Sequence, residues 1–107
     1  MQTTTLSTSD TTSPVVAPMG RRTIHFAGRV QGVGFRYTAR NIALQYDVRG
    51  YVRNLPDGRV ELVLEGSEPQ IDRVVEELRR KMSCFVRGVT MQNAPATGEF
   101  DQFSIRH

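Results

Sequence analysis

The hydrophobic periodicity of this sequence predicts an α+β sandwich, a β-α-β-β-α-β chain with both helices on one face of an antiparallel sheet. Three observations carry that expectation. Apolar residues alternate along short stretches, as at Ile24 and Phe26 or at Val60, Leu62 and Leu64, which is the period of a half-buried strand. They recur at helical spacing along two longer stretches, from Phe35 to Tyr46 and from Ile71 to Met82. Glycine-rich and Pro-Asp-Gly segments punctuate the chain between them, where it must turn. With right-handed crossovers this order gives a split-βαβ, ferredoxin-like sheet of four to five strands, the first and third of them central.

The elements follow in order. Residues 1–20 are rich in Thr and Ser, carry Pro14 and Pro18, and lack the periodicity needed to bury a face, so a disordered tail is expected ahead of a domain spanning 21–107. No continuous apolar stretch marks a secretory signal. Arg22 to Ala27 reads as a strand with His25 turned off the core face. A helix is expected from Phe35 to about Asp47, with Ala39, Ile42 and Ala43 on its buried side. Val48–Arg53 and Arg59–Glu65 form a hairpin around Asn54-Leu55-Pro56-Asp57-Gly58, where proline presets φ and glycine accepts a positive one. A second helix runs from Pro69 to Met82, with Ser67 as its N-cap. Cys84 to Val89 is a fourth strand, 90–100 a loop, and Phe103 and Ile105 mark a short final strand.

Composition narrows the function. A chain of 107 residues with 38% hydrophobic side chains is one domain with one modest core. A net charge of +3 permits acidic partners without requiring nucleic acid. Of the fourteen cationic side chains only Lys81 is lysine, so an arginine must be judged by its position. The single cysteine, Cys84, rules out an internal disulfide and fits a reducing compartment; beside Phe85 and Val86 it reads as a buried structural thiol. His25 and His107 form no metal-ligand pattern.

The stretch Gly28-Arg29-Val30-Gln31-Gly32-Val33-Gly34-Phe35-Arg36 joins the first strand to the first helix. A helix N-terminus carries partial positive charge and unpaired N–H groups, which disfavours a cation there. Arg36 stands in that first turn nonetheless. An oxyanion in the loop resolves the conflict, because backbone N–H groups, the helix end and a guanidinium fork then converge on one guest.

Gly28 to Tyr37 and Gly50 to Glu61, taken together with the strand order and the terminal Phe103-Ser104-Ile105, resemble the two signature segments of the acylphosphatase family. The likeness extends from Arg21 to His107. It implies that Arg36 binds phosphate and Asn54 orients the attacking water. The backbone N–H groups of Val30, Gln31, Gly32, Val33, Gly34 and Phe35 are then expected to cradle the phosphoryl oxygens. The implied reaction is metal-independent hydrolysis of an acyl phosphate to a carboxylate and inorganic phosphate, with no cofactor. The implied partner is a small-molecule substrate alone, without nucleic acid or membrane, for a cytoplasmic monomer. Tyr51 stands where the family usually has tryptophan, and Thr38 where many relatives carry a larger residue.

Other readings compete for the same residues. Asn54 and Asp57 suit a turn by themselves, and Gln31 suits support of the loop backbone. A nucleic-acid module displaying Phe26 and Tyr51 on its sheet is one rival function; a regulatory domain that binds a small molecule without turnover is another.

Overall fold

A computed structural model of the chain describes residues 19–107. The tail expected over 1–20 lies, up to residue 18, outside the described residues. The elements are β1 (Met19–Gly28), α1 (Phe35–Ala43), β2 (Val48–Asn54), β3 (Val60–Ser67), α2 (Glu68–Lys81), β4 (Val86–Pro95) and β5 (Phe103–Arg106). They build one five-stranded sheet in the order β4-β1-β3-β2-β5, with β1 and β3 inside as the crossover rule predicts. Neighbouring strands are antiparallel except for β2 and β5, which run parallel.

One sheet face is apolar and carries both helices. Ile24 and Phe26 of β1, Val48 and Val52 of β2, and Val60, Leu62 and Leu64 of β3 meet Phe35, Ala39, Ile42 and Ala43 of α1 and Ile71, Val74, Val75 and Leu78 of α2. Period 2 along the strands and period 3.6 along the helices thus converge on a single core. The Tyr46 hydroxyl donates to Glu77 Oε1 at 2.8 Å, joining the segment after α1 to α2. Ser67 is the N-cap of α2 in extended conformation and Pro69 enters the first turn, although the serine hydroxyl makes no capping bond.

Two expectations are corrected. The segment from 90 to 95, expected as loop, continues β4, pairing Met91 with Ile24, Asn93 with Arg22 and Pro95 with Gly20. As an edge strand it leaves most of these side chains exposed, so no alternation marks it in the sequence. Cys84, expected to be buried, is exposed. Phe85 N and Val86 N both donate to Met82 O, at 2.9 and 3.1 Å, in the turn that closes α2. That turn directs Met82 inward and Ser83 and Cys84 outward, while Phe85 and Val86 pack against the core.

Candidate active site

The strand-to-helix loop is shaped by its two ends. At the β1 end the pairing with β4 shifts register between Ala27 and Gly28, and Arg29 N donates to Phe85 O at 2.9 Å. Val30 is wholly buried and anchors the loop in the core. Gly32 and Gly34 adopt φ of 76° and 78°, left-handed values that a side chain resists, so the chain reverses into α1 without strain. Gly34 is the N-cap and has no side chain with which to satisfy the helix end. Among the described residues, no backbone N–H from Val30 to Phe35 donates to a protein acceptor. No acidic side chain occupies the first turn of α1, and Arg36 is its second residue. The loop is an unsatisfied set of donors with a guanidinium added, which is the electrostatic signature of an anion site.

Asn54 reaches the same place from another strand. It ends β2, opposite Val60 of β3, and the turn beyond it is closed by Leu55 N donating to Arg59 O at 2.8 Å. Because β5 runs parallel to β2, with Arg106 beside Arg53, its C-terminal end comes to the Asn54 end of the sheet. Arg36 Nη1 there meets Arg106 O at 3.4 Å and His107 Nδ1 at 3.3 Å. Both contacts are longer than an ordinary N–H···O bond, so they hold the guanidinium only loosely.

A cavity of about 120 Å³ is lined by Val30, Gly32, Gly34, Phe35, Arg36, Tyr37 and Asn54. An ordered water needs about 10–15 Å³, so this space admits a small oxyanion together with a water. Larger hollows lie elsewhere, such as one of about 420 Å³ beside Tyr46, Arg73, Glu76, Glu77 and Arg80 on the outer side of α2. Size does not decide between them: there Tyr46 and Glu77 already bond each other, whereas the smaller cavity is lined by the loop with the open donors.

Not all the expected loop residues line the cavity with their side chains. Val33 packs against the core, and Gln31 turns its amide to the β2–β3 turn, donating to Leu55 O at 2.8 Å and Arg59 O at 3.0 Å. Tyr37, Arg106 and His107 are neighbours of the site that periodicity and motif spacing do not single out. Tyr37 follows Arg36 and is a lining residue; the other two arrive through the parallel pairing of β5, which leaves no local signal. Asp57 serves the turn, accepting from Arg59 N at 3.0 Å and Arg59 Nε at 2.8 Å.

Comparison with known proteins bears on the family and the fold. Residues 22–105 match the family model described as Acylphosphatase. A protein named acylphosphatase from Syntrophus aciditrophicus is 42% identical over 88 residues, covering 81% of this chain and 92% of its own. One from Paenarthrobacter aurescens is 45% identical over 86 residues, covering 79% and 92%. The crystal structure of acylphosphatase from Bacillus subtilis superposes with a TM-score of 0.74 at 31% identity, covering 82% of this chain and 99% of that one.

The chain belongs to the acylphosphatase family. The two departures from the usual family pattern both find partners. Tyr51, in the tryptophan position, is buried on the open sheet face with Val63 and Phe100, and its hydroxyl donates to Glu61 Oε1 at 2.9 Å. Burial, reinforced by that bond, pushes the Tyr51 hydroxyl above its ordinary range. Burial opposes ionisation of Glu61 itself, yet His25, Tyr51 and Arg53 bond to it and hold its carboxyl below the usual range. Thr38 turns its hydroxyl back to Gly34 O at 2.9 Å, adding a second bond to the carbonyl that already accepts from Thr38 N at 3.0 Å. In this acylphosphatase domain Thr38 thereby pins the glycine that ends the strand-to-helix loop.

Proposed function

We propose that Arg36 and the backbone N–H groups of Val30 to Phe35 hold the phosphoryl oxygens of the substrate while Asn54 aims the attacking water. The reaction is hydrolysis of the carboxyl–phosphate bond of an acyl phosphate to a carboxylate and inorganic phosphate. The observation that carries the assignment is the convergence of the open-donor loop, Arg36 and Asn54 on one small cavity.

Phosphoryl transfer spreads charge over the equatorial oxygens, so positioned donors and positive charge account for most of the catalysis. A guanidinium can grip two of those oxygens in a fork, as an ammonium cannot. The Asn54 amide cannot act as an effective base; it accepts from the water and fixes its line of approach. The water oxygen attacks phosphorus, the phosphorus–acyl oxygen bond breaks, and the carboxylate departs with the electron pair. The water's proton passes to a phosphoryl oxygen. A carboxylate is a good leaving group, so no general acid is needed, which suits a cavity whose lining includes no carboxyl group. In this scheme Arg36 and the loop supply the positive charge, so neither metal nor other cofactor takes part.

The same reading makes the protein a monomer acting in the cytoplasm on a small substrate, without nucleic acid. Two observations support the compartment and the absence of nucleic acid: the lone exposed thiol suits a reducing compartment, and the aromatics a base would stack on are engaged. Phe26 lies under the helices and Tyr51 packs against Phe100. Among the described residues no helix is long and apolar enough to cross a membrane. Release of phosphate from benzoyl phosphate, undiminished by a chelator, is the expected result; chelator-sensitive turnover would contradict the mechanism.

A further inference from the structure

The β2–β3 turn carries Asn54 at its entrance, yet most of its hydrogen bonds are internal. Gly58 N donates to Leu55 O at 3.1 Å, Leu55 N to Arg59 O at 2.8 Å, and Asp57 binds Arg59 through both carboxylate oxygens. These bonds shape the turn and do nothing to place it relative to the anion loop. Among the described residues, the hydrogen bonds that cross between turn and loop both come from the Gln31 amide, to Leu55 O at 2.8 Å and Arg59 O at 3.0 Å. Both acceptors belong to the residues that close the turn, and Leu55 directly follows Asn54. Gln31 itself is fixed at its base, between the wholly buried Val30 and the left-handed Gly32.

We propose that Gln31 is a positioning residue that sets the distance between the phosphoryl cradle and the water-aiming amide of Asn54. The inference rests on the site assignment above. The loop and Arg36 together can hold an anion without Asn54. In-line attack also requires the water to approach from a fixed side at near-contact distance, and a misplacement of about 1 Å can cost roughly a hundredfold in rate. Both N–H bonds of the Gln31 side chain are committed to this one span, and its side chain does not line the cavity. Removing those donors should leave the cradle able to hold phosphate while the water loses its alignment.

Gln31→Met preserves length and volume and removes both donors. Benzoyl phosphate kinetics and competitive inhibition by inorganic phosphate are measured for it in the wild-type and Asn54→Ala backgrounds, with thermal melts as a check on folding. The expected result is a fall in kcat of about tenfold or more, with the phosphate inhibition constant within about twofold of wild type. In the Asn54→Ala background the further loss in kcat should be under about twofold, because Gln31 acts through Asn54. Gln31→Lys, whose ammonium can donate to both carbonyls, should restore most of the kcat that Gln31→Met loses. Equal falls in both backgrounds, an unchanged kcat, or a failure of the lysine variant to recover it would each overturn the proposal. If Asn54→Ala keeps wild-type turnover, the site assignment itself is wrong and the role of Gln31 falls with it.

Discussion

The carboxylate of Glu65 and the backbone from Val30 to Phe35 are both dense in polar atoms, and folding leaves them in opposite states. Glu65 is 5% exposed and accepts from Arg21 Nη1 at 3.0 Å, Thr97 N at 3.0 Å, Thr97 Oγ1 at 2.8 Å and Gly98 N at 2.9 Å. Those bonds pin the β4–β5 connection to the open face of the sheet, at the end of β3 away from Asn54. The loop from Val30 to Phe35, by contrast, offers a run of donors that meet no protein acceptor among the described residues. A buried polar group is costly unless it is paired, so a saturated cluster stabilises the fold. An unsaturated one beside a cavity leaves its donors free to meet a guest. The contrast predicts that changes at Glu65 alter stability and spare turnover, while changes around the loop do the reverse.

The largest effect should come from Arg36→Ala. It removes the guanidinium that joins the open donors around the phosphoryl group and should lower benzoyl phosphate turnover about 10³-fold with little change in melting temperature. Asn54→Ala comes next, with a fall in kcat of about 10²-fold at an unchanged fold. A variant that lost activity in step with its melting temperature would erase the distinction between the two regions.

At the saturated cluster, Glu65→Gln places an amide NH₂ among donors and should cost about 1–3 kcal/mol in denaturant unfolding, with kcat within about twofold of wild type. Acid should act in the same way. Burial opposes ionisation of Glu65, but the bonds from Thr97, Gly98 and Arg21 prevail and hold its carboxyl below the ordinary 4.5. A depressed folded value means the stabilisation is complete above the unfolded value and is lost as pH falls through the folded one. Unfolding free energy should therefore decline below about pH 4.5 more steeply in the wild type than in Glu65→Gln. The smallest effect is expected at Cys84→Ala, within about 0.5 kcal/mol, because the thiol is exposed. A cost of several kcal/mol there would restore the buried thiol that the neighbouring apolar residues suggest.

The sequence carries the sandwich and its core because Ile24, Phe26, Leu62, Leu64 and the stripes of α1 and α2 repeat at the periods their elements demand. It carries the loop because glycines and a misplaced arginine are local features. Three things escape it, two because they depend on residues distant in the chain and one because a local turn overrides an apolar context. The extension of β4 to Pro95 relies on pairing with an early start of β1 and not on any apolar pattern of its own. Cys84 is turned out by the way α2 closes, while its neighbours Phe85 and Val86 are turned in. The contacts of Arg36 with Arg106 and His107 follow from a parallel pairing at the sheet edge. Gln31 falls between these cases. Its supporting role is readable from its place in the loop, but its two acceptors lie across the hairpin and only the fold identifies them.

The central claim is a division of labour in which Arg36 and the loop hold the phosphoryl group and Asn54 aims the water. Titration of inorganic phosphate into ¹⁵N-labelled wild type, Arg36→Ala and Asn54→Ala tests it most directly, with the Gly32 and Gly34 amide signals as the readout. Phosphate should shift those amides in the wild type and in Asn54→Ala, with dissociation constants within about twofold of each other, and should leave them unmoved in Arg36→Ala. Equal loss of binding in both variants, or shifts confined to amides outside the loop, would contradict the account.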